Sequence, residues 1–294
     1  MIGGIDAGGT QFKCGVASPE GDLLARADVP TTDPDRTVAA CTAFFTQTAA
    51  RLGTPLTRLG LASFGPLELD PASPHFGCFL TTPKPGWSGF ALHAAFAAAL
   101  KLPVTLETDV NAALLAERQS GAAEGVASAA YITVGTGIGA GIWARGGLLG
   151  QPSHPEFGHI AVQRHPLDKD FPGLCPFHSD CLEGLASAAA FTARFGDPRS
   201  VPEDHPGWRI EADYLAQACL SLIYSARVER ILLGGGLMQA PLLIEHVRRA
   251  ILRRNADYLA LTEVDLATQI VLPKHGKDAG LIGALSLVRR GGLV

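Results

Sequence analysis

Two segments of this chain are imperfect copies of one another, and that duplication limits the folds open to it. The first reads Ile2-Gly3-Gly4-Ile5-Asp6-Ala7-Gly8-Gly9-Thr10-Gln11-Phe12-Lys13-Cys14-Gly15-Val16. The second reads Tyr131-Ile132-Thr133-Val134-Gly135-Thr136-Gly137-Ile138-Gly139-Ala140-Gly141-Ile142-Trp143. Each is a short apolar strand, a glycine turn and a second apolar strand, which predicts a β-hairpin with a glycine-rich tip. A chain of 294 residues holding two such hairpins is expected to form two similar domains, each opening on one of them.

Between and after the hairpins the pattern alternates strands and helices, an α/β arrangement. Leu59–Phe64 and Val104–Thr108 read as buried strands, and Ile231–Leu233 as a strand running into Gly234-Gly235-Gly236. Apolar spacing predicts helices over 36–52 (Val38, Cys41, Phe45, Leu52) and 89–101 (Leu92, Phe96, Leu100). Residues 211–228 and 240–254 read the same way, and Asp278–Arg290 reads as an apolar helix returning to the first domain. The segments 164–180 and 197–208 are irregular.

Glycine turns after strands let backbone N–H groups approach an anion without interference from Cβ. Three occur, at 8–9, 135–139 and 234–236. They are either tight turns only or the cradle of a nucleotide held between domains. Neither a dinucleotide fingerprint nor a Walker loop is present, since the first two turns lead into a second strand rather than a helix.

Thr108-Asp109-Val110-Asn111-Ala112-Ala113 follows a strand and opens a helix. Asp109 or Asn111 is a helix cap, or Asp109 is a general base at a domain cleft, taking the proton of a hydroxyl that attacks phosphorus. Asn111 donates and accepts at once, which suits a sugar hydroxyl.

The stretch His154-Pro155-Glu156-Phe157-Gly158-His159, followed by Cys175-Pro176-Phe177-His178-Ser179-Asp180-Cys181-Leu182-Glu183, interleaves soft ligands with carboxylates. Cys175, His178 and Cys181 recur every third residue, and His159 completes a set of two thiolates and two imidazoles, a closed structural zinc geometry. The alternative is buried free thiols with histidines nearby by chance. Glu156, His159 and Glu183 are candidate hydroxyl-binding groups around the metal loop, with His159 able to serve metal and sugar through different ring nitrogens. His154 and His165 are taken as structural or solvent-facing.

The balance of charge is −4 and 18% of residues are charged, which argues against non-specific nucleic-acid binding. Arg248, Arg249, Arg253 and Arg254 read as a solvated helix face. No apolar run approaches a transmembrane length, Asp6 interrupts any signal-like start, and six cysteines suggest reduced thiols in a cytoplasmic protein. Cys14, Cys41 and Cys219 fall in apolar patterns as small core residues.

On these residues the chain resembles the ROK family of sugar kinases, and within it the fructokinase branch. The resemblance rests on Asp6-Ala7-Gly8-Gly9-Thr10, Thr108–Ala113, Gly135–Gly139, Gly234–Gly236, Ser153–His159, the Cys-His-Cys loop and Thr82-Pro83-Lys84-Pro85-Gly86-Trp87. It implies an actin-like ATPase (ribonuclease H-like) duplicated fold with two domains around a central cleft. The first would span 1–110 plus the C-terminal helix at about 277–294, the second 111–276 with the zinc loop 154–183. It implies ATP-dependent phosphorylation of D-fructose to fructose 6-phosphate, with other hexoses (glucose, mannose, an N-acetylhexosamine) as the alternative. A sugar-responsive repressor of the same family would need an N-terminal winged helix, for which a first strand at Ile2 leaves no room.

The same resemblance implies Asp109 as base and Asn111, Glu156, His159 and Glu183 as sugar ligands. Gly8, Gly9, Thr10, Gln11, Gly135, Thr136 and Gly137 would surround the ATP phosphates, with Asp6 near Mg²⁺. Gly234, Gly235, Gly236, Leu237 and Met238 would flank the adenosine, with Gly184 beside them. His159, Cys175, His178 and Cys181 would hold zinc, and the protein would be a homodimer. Two positions depart from the family pattern: His178 stands where a third cysteine is usual, and Gln11 where lysine often follows Gly-Gly-Thr. A neutral hydrogen bond is about half as strong as a charge-assisted one, so Gln11 is expected to weaken ATP binding.

Overall fold

Both predicted hairpins form. The computed structural model describes residues 1–82 and 84–289. In it β1 (Ile2–Ala7) pairs antiparallel with β2 (Gln11–Ala17), and β3 (Leu23–Pro30) continues the meander. Then come α1 (Pro34–Leu52), β4 (Arg58–Ser63), α2 (Leu92–Leu100), β5 (Val104–Thr108) and α3 (Asp109–Ser120). The second hairpin is β6 (Ala129–Val134) and β7 (Ile138–Ala144), with β8 (Gly147–Leu148) beside it. The remainder is α4 (Leu182–Ala186), α5 (Ala188–Phe195), α6 (Gly207–Ser225), β9 (Arg230–Gly234), α7 (Leu243–Asn255), α8 (Glu263–Gln269), β10 (Ile270–Val271) and α9 (Ala279–Ser286).

The sheets repeat one topology. Their strand orders are β3-β2-β1-β4-β5 and β8-β7-β6-β9-β10. In each, the hairpin is antiparallel and its first strand pairs in parallel with the next, β1 with β4 and β6 with β9. This is the duplicated α/β arrangement of the actin-like fold. The chain separates into two bodies: Met1–Gln119 with Gly150–His154 and the chain from Lys277, and Ser120–Leu149 with Pro155–Gly276. The helix α3 therefore stays with the first body as far as Gln119, and the short run 150–154 joins it.

Local chemistry sets the element ends. Asp33 accepts the N–H of Arg36 at 3.0 Å, Pro34 occupies the first helical turn, and Gly53 closes α1 at φ 63°, so α1 starts two residues before the apolar spacing predicts. Its stripe of Val38, Cys41 and Phe45 is buried, each large side chain contributing about 1.5–3 kcal/mol. The helix predicted over 89–101 begins only at Leu92, and that predicted over 211–228 already begins at Gly207. Cys14, Cys41 and Cys219 are fully buried, as their patterns predict.

The edge strand β3 escapes sequence reading because it lacks an apolar face. Leu23 and Leu24 are exposed, and Arg26 pairs with Asp278 at 2.7 Å, a charged edge that discourages further pairing. The closing helix α9 packs on β1 and β4, and a Cβ on Gly60 would collide with the carbonyl of Ala284. The predicted end of this helix at Arg290 lies outside the described residues. Pro83, in the Thr82–Trp87 stretch, does too. Trp87 of that stretch is fully buried among Phe12, Phe64, Phe79 and Phe90, its indole N–H donating to the Thr32 carbonyl at 2.9 Å.

Candidate active site and metal centre

At the β5–α3 junction the capping group is Thr108, whose Oγ1 accepts the Asn111 N–H at 3.2 Å. Asp109 Oδ1 takes the N–H of Val110 at 2.8 Å, which leaves Oδ2 free of a cap. Burial, and after it the charge of Asp6, pushes the Asp109 carboxyl up to about 7, against the pull of its backbone N–H bonds and of His154. His154, half-buried, is thus part of the electrostatics of this carboxylate rather than a bystander.

Asn111 is 1% exposed. Its Nδ2 donates to Glu107 Oε1 at 2.9 Å, and the same oxygen accepts the Thr108 N–H at 2.8 Å. That pairing fixes which end of the amide is which, and the buried Asn111 Oδ1 is left with no hydrogen-bond partner. A buried acceptor without a donor is costly in a finished core and ordinary in a ligand site. Glu107 is one of the residues that sequence reading missed. Its one signal is its place four residues before Asn111, across a strand–helix junction.

In the first hairpin, Gly8 N–H donates to the Gln11 carbonyl at 3.0 Å, closing the turn. Thr31 pins that turn from outside, giving its N–H to the Thr10 carbonyl and its hydroxyl to the Gly8 carbonyl. Gly9, Thr10 and Gln11 are exposed at the tip. Asp6 is not a free metal ligand: Lys13 Nζ holds its Oδ2 at 2.9 Å. Lys13 is two residues from Gln11 and so on the same face of β2.

In the second body the loop Gly135–Gly137 is closed by a Gly135 N–H to Gly137 carbonyl bond of 2.9 Å, with Thr136 exposed. Glu183, in the first turn of α4, accepts the Ile138 N–H at 2.8 Å, and a Cβ on Gly137 would lie 2.5 Å from its carboxylate. Gly184 is engaged in the metal loop: its N–H meets Cys181 Sγ at 3.3 Å and its carbonyl takes the Leu174 N–H at 2.9 Å. After β9, Gly236 faces open space, whereas the side chains of Leu237 and Met238 are buried in the core. Those two residues offer a ligand only their backbone.

His159, Cys175, His178 and Cys181 bring one donor atom each to within 4.8 Å of one another. Cys175 Sγ stands 3.8 Å from His159 Nδ1 and 3.6 Å from His178 Nδ1. A tetrahedral zinc with ordinary bond lengths sets sulfur and nitrogen about 3.6 Å apart, so the donors fit that ion. Burial pushes the Cys181 thiol up to about 11, and a thiol so reluctant to ionise becomes a ligand beside a cation's charge. His159 ends a 3₁₀ turn, Phe157–His159, whose backbone closes on the Glu156 carbonyl at 3.0 Å. The Glu156 side chain is exposed. His165 accepts the Leu167 N–H in its own turn.

The loop 164–180 has further anchors. Arg164 gives hydrogen bonds to the Asp180 carboxylate at 2.5 Å and to the carbonyls of Phe171 and Ser179. Arg194 holds the buried Asp168 at 2.6 Å, and the Tyr214 hydroxyl donates to the same carboxylate at 2.8 Å.

Residues 2–291 match the ROK family. This chain belongs to the ROK family. A fructokinase of Zymomonas mobilis is 38% identical over 98% of this chain and 96% of its own, and a fructokinase of Pediococcus pentosaceus is 36% identical over 98% of each. Among solved structures, the ROK hexokinase of Thermus thermophilus superposes with a TM-score of 0.78 at 28% identity, covering 97% of this ROK chain and 96% of the hexokinase. A ROK glucokinase of Streptomyces griseus, solved with glucose and AMPPNP, gives 0.74 at 26% identity over 99% of each chain. Among the described residues, no helix of this ROK protein is long and apolar enough to cross a membrane.

Proposed function

We propose that this protein is an ATP-dependent fructokinase, transferring the terminal phosphoryl group of ATP to the 6-hydroxyl of D-fructose. The observation that carries the reading is Asp109: a carboxyl raised to about 7, at the start of a helix that a different residue caps. A base of that pKa is matched to proton transfer near neutrality. The fructose assignment is supported by the identity to fructokinases along nearly the whole chain.

Asp109 takes the proton of the attacking hydroxyl as its oxygen bonds to phosphorus and ADP leaves. Asn111 accepts a sugar hydroxyl at its open Oδ1, and Glu156, His159 and Glu183 supply further sugar contacts. Backbone N–H groups at Gly8–Gln11 and Gly135–Gly137 meet the phosphates, and Gly234–Met238 meets the adenosine with backbone atoms, Gly184 lying in the metal loop next to Glu183. Mg²⁺ brought with ATP would offset phosphate charge, and Asp6, which shares its own charge with Lys13, would act toward it. His159, Cys175, His178 and Cys181 would hold zinc, which would fix the loop that carries His159 and leads into Glu183. Positioning and charge stabilisation supply most of the catalysis of such a transfer. The enzyme acts in the cytoplasm as a homodimer, for which light scattering on the purified protein is the test.

A coupled ADP-release assay over fructose, glucose, mannose and N-acetylmannosamine tests the substrate. Fructose is expected to lead in kcat/KM by about tenfold or more, the scale of one buried polar group left unpaired. Glucose or mannose in first place would move the enzyme to another hexose-kinase branch of the family.

A further inference from the structure

The second body carries a groove of roughly 670 Å³ whose lining residues include none of those given a role above. One wall is the start of α6, with Arg209 and Asp213. The other is one face of α7, with His246, Arg249, Arg253 and Arg254. Spacings of three and four residues put His246, Arg249 and Arg253 on one side of α7, and Arg209 and Asp213 on one side of α6.

The lining holds four guanidinium groups against one carboxylate, in a chain whose net charge is −4. Asp213 is buried and already engaged. It takes Arg254 in a two-point grip, Nε at 2.8 Å and Nη2 at 2.5 Å, with Arg253 at 3.5 Å. That fixes Arg254 and offsets the only negative charge in the groove. Arg209 and Arg249 have no carboxylate partner among the described residues and stand exposed at the opening. The neighbouring His246 is held below its ordinary pKa by burial first and then by Arg249 and Arg209, with Glu245 pulling the other way, so both guanidinium charges are felt at one place. The helix face that reads as merely solvated in sequence is therefore divided. Arg248 is bound to the Ile270 carbonyl and Arg254 to Asp213, while Arg249 and Arg209 point their charge at a concavity.

We propose that this groove binds a small organic phosphate, its phosphoryl group between Arg209 and Arg249 and its carbon body against Ile210 and Leu167. Guanidinium groups match phosphate oxygens in charge and in fork geometry. The volume suits a ligand of metabolite size, and the apolar wall, where Leu167 is 76% exposed, favours an ester over the bare anion.

The test is calorimetric titration of the intact protein, free of sugar and nucleotide, with 3-phosphoglycerate in one arm and orthophosphate in the other. One saturable site per chain is expected for 3-phosphoglycerate, tighter than for orthophosphate and weakening as salt rises. The double variant Arg209→Ala/Arg249→Ala should weaken it by about tenfold or more, the effect of losing a charge-assisted contact, while AMPPNP affinity and fructose turnover stay within about twofold. No saturable binding below about 10 mM, weaker than any affinity such contacts are expected to give, overturns the proposal. So does binding that the double variant retains, which would assign the phosphate to the nucleotide loops. Equal affinity for the two probes overturns the ester assignment. Failure to phosphorylate fructose would leave this groove untouched, because its readout is binding.

Discussion

Glu183 joins the helix that follows the metal loop to the tip of the second glycine hairpin. Its Oε2 accepts the Ile138 N–H at 2.8 Å, and Cys181, two residues before it, is one of the four clustered residues proposed to hold zinc. A second tie runs from the Ala188 N–H to the Gly135 carbonyl at 2.8 Å. These two bonds tie the segment after the Cys-His-Cys loop to the loop proposed to meet phosphate.

A side chain at position 137 would break that contact. Gly137→Ala places a Cβ 2.5 Å from the Glu183 carboxylate, closer than real contacts allow. It is expected to raise KM for both ATP and fructose by about tenfold, consistent with loss of a charge-assisted hydrogen bond. Glu183→Gln keeps the shape and an acceptor, so its effect on KM for ATP should be smaller. Equal effects of the two variants on ATP would show that the contact does not transmit to the loop.

As the proposed base, Asp109 is expected to set the pH dependence. Its carboxyl is raised from 3.8 to about 7, and a general base works only when ionised, so kcat/KM should climb with pH and level off above about 7. Asp109→Asn should lower kcat by about a thousandfold or more, since it removes the base and misaligns the hydroxyl, with fructose affinity largely kept. Stability gives an independent reading. A carboxyl whose folded pKa is raised stabilises the fold below its unfolded pKa and loses that contribution as pH rises through the folded value. The Asn variant should therefore be more heat-stable than the parent at pH 8, and the gap should close toward pH 4. A rate profile flat from pH 5 to 9 would remove Asp109 from the base role.

What sequence reading recovered and what it missed divide along physical lines. The hairpins, β5 and α1 announce themselves through apolar period, glycine tips and caps, all local. The cluster of His159, Cys175, His178 and Cys181 is legible because three of the four lie within seven residues and thiol–imidazole sets are chemically specific. Glu107 was not legible, because its function is to hold Asn111 and nothing in a strand-end glutamate declares that. Arg164 and Arg194 were missed for the same reason: each acts through carbonyls and carboxylates that only the folded loop assembles. The strand β3 was lost because an edge strand dressed in charge has no period to read. Asp6 was read as a metal-side carboxylate without its Lys13 partner, which lies across the hairpin.

Glu107 can be tested apart from Asn111. Glu107→Ala frees the Asn111 amide to turn, and should raise KM for fructose by about tenfold with KM for ATP unchanged, the scale of one well-placed buried hydrogen bond. Glu107→Gln can still accept from Asn111 Nδ2 and should recover most of the loss. If both variants shift KM for ATP and fructose alike, Glu107 supports the fold of the junction and does not orient the amide.

Metal removal separates the two devices that order the loop 164–180. Purified protein should carry one zinc per chain, and Cys175→Ser should lose it, because two imidazoles and one thiolate leave the tetrahedron open. Loss of a structural ion should lower Tm by on the order of 5–10 °C and raise KM for fructose, since His159 would lose the metal that fixes its ring. The loop should not melt entirely, because Arg164 still bridges Asp180 and the carbonyls of Phe171 and Ser179. Arg164→Ala in the zinc-free protein is accordingly expected to expose the loop to proteolysis, where either change alone leaves it largely protected. Full protease resistance of the doubly altered protein, or native protein free of zinc by metal analysis, would refute this division of labour.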